Sequence, residues 1–460
     1  MKGNLRFLSI ELENFKNIRH GKVSFPQITT DKESGHNIIG VYGQNGSGKT
    51  ALVQAFEVIR LLIRQKELDK NLIFEGEDYA RITLEFEFFG ENPCHAFYEI
   101  ELAINEKQEL KLQKEVFTYR PSVKHKKSQK IIYRASANEA TDMLRIVTKK
   151  GDEIPFDFKN ENEIVEVKLA QRLGTSLLLS LATLKGNSFL VRADAMGHKI
   201  LKAIVEKIGI NTTIISSKDN HNFYADQFLP VTVSALEFQG DGPFILCDFI
   251  AALPYAAEPS LLDIAWFQTN RRILESINII LPQLVPGLTI ELEEVGEETM
   301  FDGSKGIRFK CLSVRDGRKI PLYYESTGIK KMVSILGVLI ALFNQEEVFV
   351  IIDELDAGIF EFLLGELLQV LNHYALGQLL FTSHNLRLLE VLEKENLVFT
   401  TTNPDNRFIK MKGLRATNNI RDSYIRAVQI GGQDEELYAE TDDFYIKQAF
   451  KKAGMIKHEK

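Results

Sequence analysis

The pattern of apolar and polar residues predicts many strands in the N-terminal third of the chain. Successive side chains of a strand point to opposite faces, so a half-buried strand shows an apolar residue at every second position. Runs typical of strands occur at residues 7–12, 21–25, 37–42, 79–89, 95–104, 111–119 and 130–136. Residues 51–58 have helical spacing, so a helix is expected soon after the third run.

The middle of the chain, from about residue 164 to residue 281, has apolar residues three and four positions apart. This spacing is typical of amphipathic helices. Helices are predicted at residues 165–185, 199–208 and 260–281. Alternation then returns and predicts strands at residues 288–295, 306–314 and 319–324.

The last third of the chain alternates between helical and strand patterns. Helices are predicted at residues 333–343, 360–374 and 386–393, buried strands at 348–352 and 378–382, and a last strand at 406–411. Strands that are apolar throughout need cover on both faces, which is the arrangement of a parallel sheet flanked by helices. The pattern therefore predicts an α/β fold.

The composition is that of a globular protein. The 460 residues are 44% hydrophobic and 26% charged, and the net charge of −7 gives no general attraction to nucleic acid. Cys94, Cys247 and Cys311 have neither metal-ligand spacing nor a disulfide framework. The N-terminus lacks the apolar segment of a signal peptide, and the apolar run at 333–343 is too short to cross a bilayer. We therefore expect a cytoplasmic protein without a membrane span.

The segment from Gly43 to Thr50 reads Gly-Gln-Asn-Gly-Ser-Gly-Lys-Thr and fits the P-loop pattern. It lies between a predicted strand and a predicted helix, which is the context that this motif requires. Backbone N–H groups of such a loop surround phosphate oxygens, and the positive end of the helix adds to the attraction. Lys49 would reach the β- and γ-phosphates, and the Thr50 hydroxyl would hold Mg²⁺. The candidate phosphate ligands are Gly43, Asn45, Gly46, Ser47, Gly48, Lys49 and Thr50.

Two carboxylates follow the apolar strand predicted at residues 348–352. Asp353 could hold the Mg²⁺ of a bound nucleotide, and Glu354 could orient and activate the attacking water. His384 follows the next buried strand and could contact the γ-phosphate or the water. The alternatives are solvated acids at the end of a strand and a structural histidine.

A third segment, residues 324–331, opens the helix that leads to the acidic strand. Ser326 and Gly328 would offer a second phosphate cradle, because the first N–H groups of a helix lack partners within it. The alternative is a serine that only caps the helix. The spacing between Ser326 and Asp353 leaves room for one helix, one turn and one strand.

The order of these elements resembles that of ABC-type ATPases, in particular the SMC, RecF and OLD-like branch. Residues 10–17, Ile-Glu-Leu-Glu-Asn-Phe-Lys-Asn, resemble the strand that begins those proteins, and residues 353–358, Asp-Glu-Leu-Asp-Ala-Gly, resemble their Walker B motif and D-loop. The resemblance covers residues 1–60 and about 285–400. It implies an ABC-type P-loop ATPase head, a mixed β-sheet with flanking helices, that carries an α+β insertion.

The resemblance also implies the chemistry of the site. The P-loop residues bind ATP, and Thr50 holds Mg²⁺. Asp353 supports the metal, Glu354 is the general base and His384 senses the γ-phosphate. The implied activity is hydrolysis of ATP to ADP and phosphate, slow and regulatory.

A second copy of the chain completes the site in this family. Ser326 and Gly328 would bind the γ-phosphate of ATP held by the other subunit, so two chains would enclose two nucleotides, with Asp356 at their interface. Two features depart from the pattern. Many OLD-like ATPases have Leu-His-Pro after the D-loop glycine, whereas residues 359–361 are Ile-Phe-Glu, and no glutamine loop can be placed.

Residues 1–104 and 286–412 are predicted to form the ATPase head. Residues 105–285 would form an insertion, strands and then helices, for oligomer contacts and partner recognition, and residues 413–460 a tail. The acids of the tail read as a solvated or partner-facing surface, because the tail has no separate domain to hold a metal. They are Asp434, Glu435, Glu436, Asp442 and Asp443.

A single ATPase of this length, with an insertion and no effector domain, resembles the ATPase component of two-gene phage-defence systems, of which the PARIS type is the nearest. That resemblance implies a higher homo-oligomer that holds a separate Toprim-like nuclease. It also implies release of the nuclease when a phage protein is sensed.

A DNA-binding repair or maintenance ATPase of the RecF or SMC type is the alternative. The basic segment from Tyr119 to Lys130, followed by Tyr133 and Arg134, could contact phosphates, or it could be the solvated turn of a hairpin. The nucleotide-binding domain of an ABC transporter fits poorly, since such domains have a Gly-Gly signature and a compact helical insertion.

Overall fold

The computed structural model describes residues 4–26, 37–89, 93–121, 129–134, 144–147, 153–155, 161–184, 194–216, 228–232, 250–413, 419–439 and 441–454. Its strands are β1 (Asn4–Phe15), β2 (Ile18–Ser24), β3 (Ile38–Tyr42), β4 (Tyr79–Phe89), β5 (Cys94–Ile104), β6 (Leu110–Pro121), β7 (Gln129–Arg134), β8 (Leu144–Val147), β9 (Glu153–Pro155), β10 (Thr212–Ile215), β11 (Phe228–Thr232), β12 (Ile250–Pro254), β13 (Ser260–Asp263), β14 (Thr289–Thr299), β15 (Lys305–Arg315), β16 (Arg318–Pro321), β17 (Phe349–Ile352), β18 (Gln378–Ser383), β19 (Leu397–Thr400) and β20 (Phe408–Ile409). Its helices are α1 (Lys49–Ile63), α2 (Glu161–Leu173), α3 (Leu177–Thr183), α4 (Ala195–Val205), α5 (Ile264–Leu284), α6 (Thr327–Asn344), α7 (Glu361–Tyr374), α8 (Leu388–Val391), α9 (Ile420–Ile430) and α10 (Asp443–Gly454).

A six-stranded sheet in the order β10-β17-β18-β3-β19-β20 forms the centre of the head. Its neighbouring strands are parallel except for the last pair, β19 and β20. The central strands β3, β17 and β18 are buried along their whole length, as expected for a sheet covered on both faces. Parallel pairing brings the C-terminal ends of these three strands to one edge of the sheet.

An eight-stranded sheet in the order β2-β1-β4-β5-β6-β7-β8-β9 is antiparallel throughout. Phe7 of β1 stacks on Phe349 of β17 with ring centroids 5.2 Å apart, and Phe56 of α1 lies edge-on at 5.3 Å from Phe7. Both sheets and α1 therefore share one apolar core. This packing fixes the helix that begins at the glycine-rich loop.

Several predicted elements were wrong in the middle of the chain. The part predicted to be helical contains β10, which joins the parallel sheet beside β17. The helix predicted at residues 260–281 starts as β13, which pairs with β15, and only then continues as α5. The helix predicted at 165–185 is divided at Gly174, whose φ of 70° ends α2 before α3 begins. A short apolar run such as Ser-Leu-Leu-Asp does not distinguish strand from helix by periodicity alone.

Two predicted elements near residue 400 also needed correction. The last strand predicted at residues 406–411 is only the two-residue β20, and β19, which pairs with β3, was not predicted. The helix predicted at residues 386–393 is helical only over the four residues of α8. Both stretches are short, so the context of the sheet decides their conformation more than the local pattern does.

The segment predicted as an insertion, residues 105–285, contributes strands to both large sheets. β6 pairs with β5 in the antiparallel sheet, and β10 pairs with β17 in the parallel sheet. The bounds of the predicted insertion, head and tail stay a prediction. Lys124, Lys126 and Lys127 of the basic segment fall within residues 122–128, between β6 and β7 in the sequence, and lie outside the described residues.

Within the described part of the chain, α6 is the one helix that is long and apolar enough to cross a membrane, with a mean hydropathy of 1.5. It begins at Thr327, six residues before the apolar run used to predict it, and 56% of it is buried inside the protein.

The C-terminal segment returns to the glycine-rich loop. The backbone N–H of Ala439 donates to Oε1 of Gln44 at 3.1 Å. The carboxylate of Glu435 accepts from the side chains of Asn403 and Asn406, at 3.0 and 2.9 Å. This tail acid is therefore bonded to the loop between β19 and β20.

The terminal helix α10 is exposed on every side. None of its residues is buried, and its large apolar side chains are between 43% and 77% exposed. These side chains are Phe444, Tyr445, Ile446 and Phe450. Exposed apolar clusters of this kind are typical of surfaces that bind other molecules.

Candidate nucleotide-binding site

The glycine-rich loop joins β3 to α1 as the motif predicts. Gly48 is the N-cap residue of α1 and has a φ of 94°, a conformation that favours glycine. A Cβ atom on Gly43 would lie 1.6 Å from Oγ1 of Thr400, so only glycine fits at that position. The first helical N–H groups of α1 therefore face the concave side of a closely packed loop, where an anion would be stabilised.

Lys49 lies inside this loop and is only 6% exposed. Its Nζ donates to the carbonyl oxygens of Gly43 and Gln44, both at 2.8 Å. Burial lowers the pKa of Lys49 to about 8, although Asp353 and Glu354 oppose that shift. The Lys49 ammonium is thus held by two carbonyl oxygens of the loop, near the two acids that follow β17.

Asp353 is fully buried directly after β17. Its Oδ1 accepts from Oγ1 of Thr382 at 2.5 Å, while its Oδ2 has no hydrogen-bond partner within the described structure. Buried carboxylate oxygens are rarely left without a partner. This carboxyl oxygen and the Thr50 hydroxyl are oxygen donors of the kind that Mg²⁺ prefers, and both residues line the same cavity, so they fit a Mg²⁺ ion.

Glu354 adopts the left-handed conformation, with a φ of 51°. Its backbone N–H donates to Oγ1 of Thr382 at 2.8 Å, and its carbonyl oxygen accepts from Nζ of Lys331 at 2.5 Å. The residue is half-buried and lines the cavity described below. The chain therefore turns sharply at Glu354.

His384 follows β18 at the same edge of the sheet. Its backbone N–H donates to Oδ2 of Asp356 at 3.2 Å. Burial and the nearby Lys49 ammonium lower the pKa of His384, although Asp356 and Glu354 act in the opposite direction. A neutral imidazole in this position can accept a proton or a hydrogen bond from a ligand.

One cavity of about 750 Å³ brings most of the predicted site residues together. They are Asn45, Gly46, Gly48, Lys49, Thr50, Asp353, Glu354 and His384. Gly43 and Ser47 do not line it: the Ser47 hydroxyl is buried beneath the loop, 2.7 Å from the carbonyl oxygen of Gln44 and 2.6 Å from Oγ1 of Thr400. These two residues stabilise the conformation of the loop and do not form part of the cavity wall.

Sequence reasoning missed the second wall of the cavity. It is formed by Lys16, Asn17, Gln54 and the strap of residues 70–77. The strap is held beside the turn after β1 because Lys16 N–H donates to the carbonyl oxygen of Leu72 at 2.8 Å. Lys16 and Asn17 belong to the opening motif, which could have identified them, whereas no local pattern marks the strap.

Ser326 and Gly328 do not line the cavity. Ser326 is the N-cap of α6, and its Oγ accepts from the N–H of Ile329 at 3.3 Å. Gly328 packs against residues 355–358, the segment that resembles a D-loop, and an added Cβ would lie 2.1 Å from the carbonyl oxygen of Gly358. Within one chain the predicted site is thus divided into a cavity and a separate exposed turn.

Residues 9–185 match the family model described as an AAA domain. No curated protein matches the chain in sequence.

The solved structures that are similar over most of the chain include two SMC heads and one RecF. An SMC head bound to the C-terminal winged-helix domain of ScpA is 14% identical, with a TM-score of 0.41. The alignment covers 88% of this chain and 97% of the SMC head chain. The SMC head domain from Thermotoga maritima is 15% identical, with a TM-score of 0.38 and coverages of 88% and 99%. The recombination mediator RecF is 12% identical, with a TM-score of 0.34 and coverages of 88% and 98%.

The fold class predicted from the sequence is confirmed. The parallel sheet carries a glycine-rich loop after β3, acids after β17 and a histidine after β18. Together with the AAA-domain match, this arrangement gives the chain the mixed α/β fold of a P-loop ATPase head.

Proposed function

We propose that this protein binds ATP with Mg²⁺ and hydrolyses it to ADP and phosphate. The observation that carries the proposal is the buried Oδ2 of Asp353, which has no hydrogen-bond partner among the described residues, in a side chain that lines the same cavity as Lys49 and Thr50. Cationic, hydroxyl and carboxylate groups in one cavity suit a metal-bound polyphosphate. Mg²⁺, when bound, would neutralise phosphate charge, and Thr50 and Asp353 would hold it.

Three side chains would serve the reaction. Lys49 would bind the terminal phosphates, and Glu354 would take a proton from the attacking water. His384 would donate or accept a hydrogen bond at the γ-phosphate. Their shared position at one edge of the sheet supports these roles.

Nucleotide binding and phosphate release test the proposal directly. Lys49→Ala should abolish ATP binding, whereas Glu354→Gln should bind ATP and lose turnover. Glu361→Gln is the matched control, because Glu361 is exposed at the start of α7 and does not line the cavity. Normal turnover in Glu354→Gln would contradict the assignment of the base.

We also propose that two heads enclose two nucleotides in a homodimer or a higher homo-oligomer. Ser326 and Gly328 would contact ATP held by the other subunit. Their position outside the cavity supports this. Lys49, Glu354 and His384 line the cavity of their own chain, whereas Ser326 and Gly328 do not and are left for a nucleotide bound elsewhere. Asp356 of the D-loop would lie at the interface.

The biological role that we propose is that of a sensor and scaffold in anti-phage defence, which controls a separate effector nuclease of the Toprim-like kind. The exposed apolar side chains of α10 support partner binding. Light-scattering mass of the Glu354→Gln protein with ATP, with and without its neighbouring gene product, tests this role. A stable assembly that holds the partner is expected, with release on addition of a phage protein.

A DNA-binding maintenance ATPase of the RecF or SMC kind is the second candidate. The basic residues between β6 and β7 in the sequence favour it, because a segment with several lysines can contact phosphates. Salt-sensitive binding to DNA, lost when Lys124, Lys126, Lys127 and Lys130 are replaced together, would favour this role. Assemblies that ignore DNA and hold the neighbouring gene product would favour defence.

A further inference from the structure

Two buried lysines lie near the acids of the turn after β17, whose charges act on both of them. Lys49 approaches from the P-loop helix, and Lys331 approaches from α6. Lys331 is only 2% exposed, and the carboxylates of Asp356 and Glu354 are among the charges that act on it. The P-loop motif explains Lys49, but no part of the proposed site explains Lys331.

The Lys331 ammonium binds the backbone carbonyl group of Glu354. Its Nζ donates to the Glu354 carbonyl oxygen at 2.5 Å, while the Glu354 N–H donates to Oγ1 of Thr382 at 2.8 Å. The left-handed conformation of Glu354 is unfavourable for a residue with a Cβ atom, so surrounding contacts must stabilise it. Lys331 and Thr382 provide these contacts on either side.

The same lysine connects Glu354 to the turn that begins with Ser326. Lys331 lies in the second turn of α6, and Ser326 is the N-cap of that helix. The start of α6 also contacts the D-loop, because Gly328 packs directly on Gly358. A shift of α6 along its axis would therefore move the carbonyl group of Glu354 and the D-loop together.

We propose that Lys331 is a positioning residue, which places Glu354 for hydrolysis according to the position of the helix that begins at Ser326. The inference rests on the proposed ATPase function. It adds a link within one chain from the exposed Ser326 turn to the base. A contact at Ser326 that shifts α6 would change the position of Glu354. Lys331 itself does not line the nucleotide cavity and would not touch the substrate.

The test compares Lys331→Met, Lys331→Arg and the control Lys330→Met. Lys330 is the adjacent lysine on the same helix, and its Nζ donates to the carbonyl oxygen of Tyr323, away from Glu354. For Lys331→Met we expect kcat to fall at least tenfold while the Kd for ATP stays within twofold. Lys331→Arg should recover much of kcat, and Lys330→Met should resemble the wild type.

Hydrogen exchange separates positioning from general stability. In Lys331→Met the amides of residues 353–358 should exchange faster, while exchange in β3 and β18 stays unchanged. Wild-type kcat in Lys331→Met would overturn the inference and leave the proposed ATPase intact. Uniformly faster exchange, with kcat and Kd lost together and no recovery in Lys331→Arg, would overturn it as well. A wild-type protein that binds no ATP would instead overturn the proposed function.

Discussion

The backbone of Gly328 lies against the backbone of Gly358, so closely that an added Cβ at Gly328 would meet the Gly358 carbonyl oxygen at 2.1 Å. Gly358 has a φ of 78°, which suits glycine. The turn that opens α6 and the D-loop are therefore in direct contact within one chain. Both turns are remote in sequence from the P-loop, yet their contact fixes the residues that follow β17.

Gly328→Ala should disturb this contact more than it disturbs the P-loop. The added methyl must displace the D-loop backbone, so we expect a loss of about 1–3 kcal/mol in the free energy of unfolding and a large fall in kcat. Urea unfolding and phosphate release measure the two effects. Gly296→Ala is the control, because a Cβ there meets nothing within 4 Å. Equal effects of the two substitutions would contradict the prediction.

Mixing two inactive variants tests whether Ser326 acts on the nucleotide of another subunit. Lys49→Ala should fail to bind ATP, and Ser326→Arg should bind ATP without turnover. A mixed dimer contains one site with both residues intact, so a 1:1 mixture should recover part of the wild-type ATPase rate. If Ser326 served the cavity of its own chain, the mixture would stay inactive.

The affinity for ATP should weaken in alkaline solution. Burial lowers the pKa of Lys49 to about 8, and the charged form is the one that binds phosphate. As the pH rises above 8, the Kd for ATP should therefore increase, approaching about tenfold per pH unit. Binding titrations between pH 7 and 9.5 measure this. Lys331→Met should show the same profile, and a Kd that is constant up to pH 9.5 would exclude Lys49 as the titrating group.

A buried carboxyl in the antiparallel sheet should make stability depend on pH. Glu115 is fully buried and accepts hydrogen bonds from Tyr98, Ser176 and the N–H of Leu177. Burial raises its pKa to about 7, although these hydrogen bonds oppose the shift. Between the pKa of the unfolded chain and about 7, the folded protein binds the extra proton. The free energy of unfolding should therefore fall as the pH rises, by at most about 1.4 kcal/mol per pH unit from this group.

Urea unfolding of the wild type and Glu115→Gln between pH 5 and 7.5 checks this prediction. The substituted protein should lose that part of the pH dependence, while Glu106→Gln, at an exposed position, should keep it. Parallel profiles for the wild type and Glu115→Gln would show that Glu115 does not titrate in this range.

The sequence predicts those parts of the site that are contiguous along the chain. A P-loop is a single run of eight residues, and the acids and His384 each follow a buried apolar strand, so local patterns suffice to find them. β10 and the strap at residues 70–77 depend on partners far away in sequence, β17 and the turn after β1. No local pattern encodes such pairings. The sequence does not predict the role of Lys331 either, because that role depends on burial against a turn that is distant from Lys331 along the chain.

The position of β3 between β18 and β19 has a consequence for how the protein is made. Ile39 pairs with Leu380 and Val41 with Val398, so the strand that carries the P-loop gains its neighbours only after about 340 more residues have been synthesised. Until then an apolar strand remains without its partners on the nascent chain, exposed to aggregation or to chaperones. Ribosomal pausing or proteolysis before residue 400 would therefore leave a polypeptide that contains the whole P-loop motif but has no assembled site for ATP.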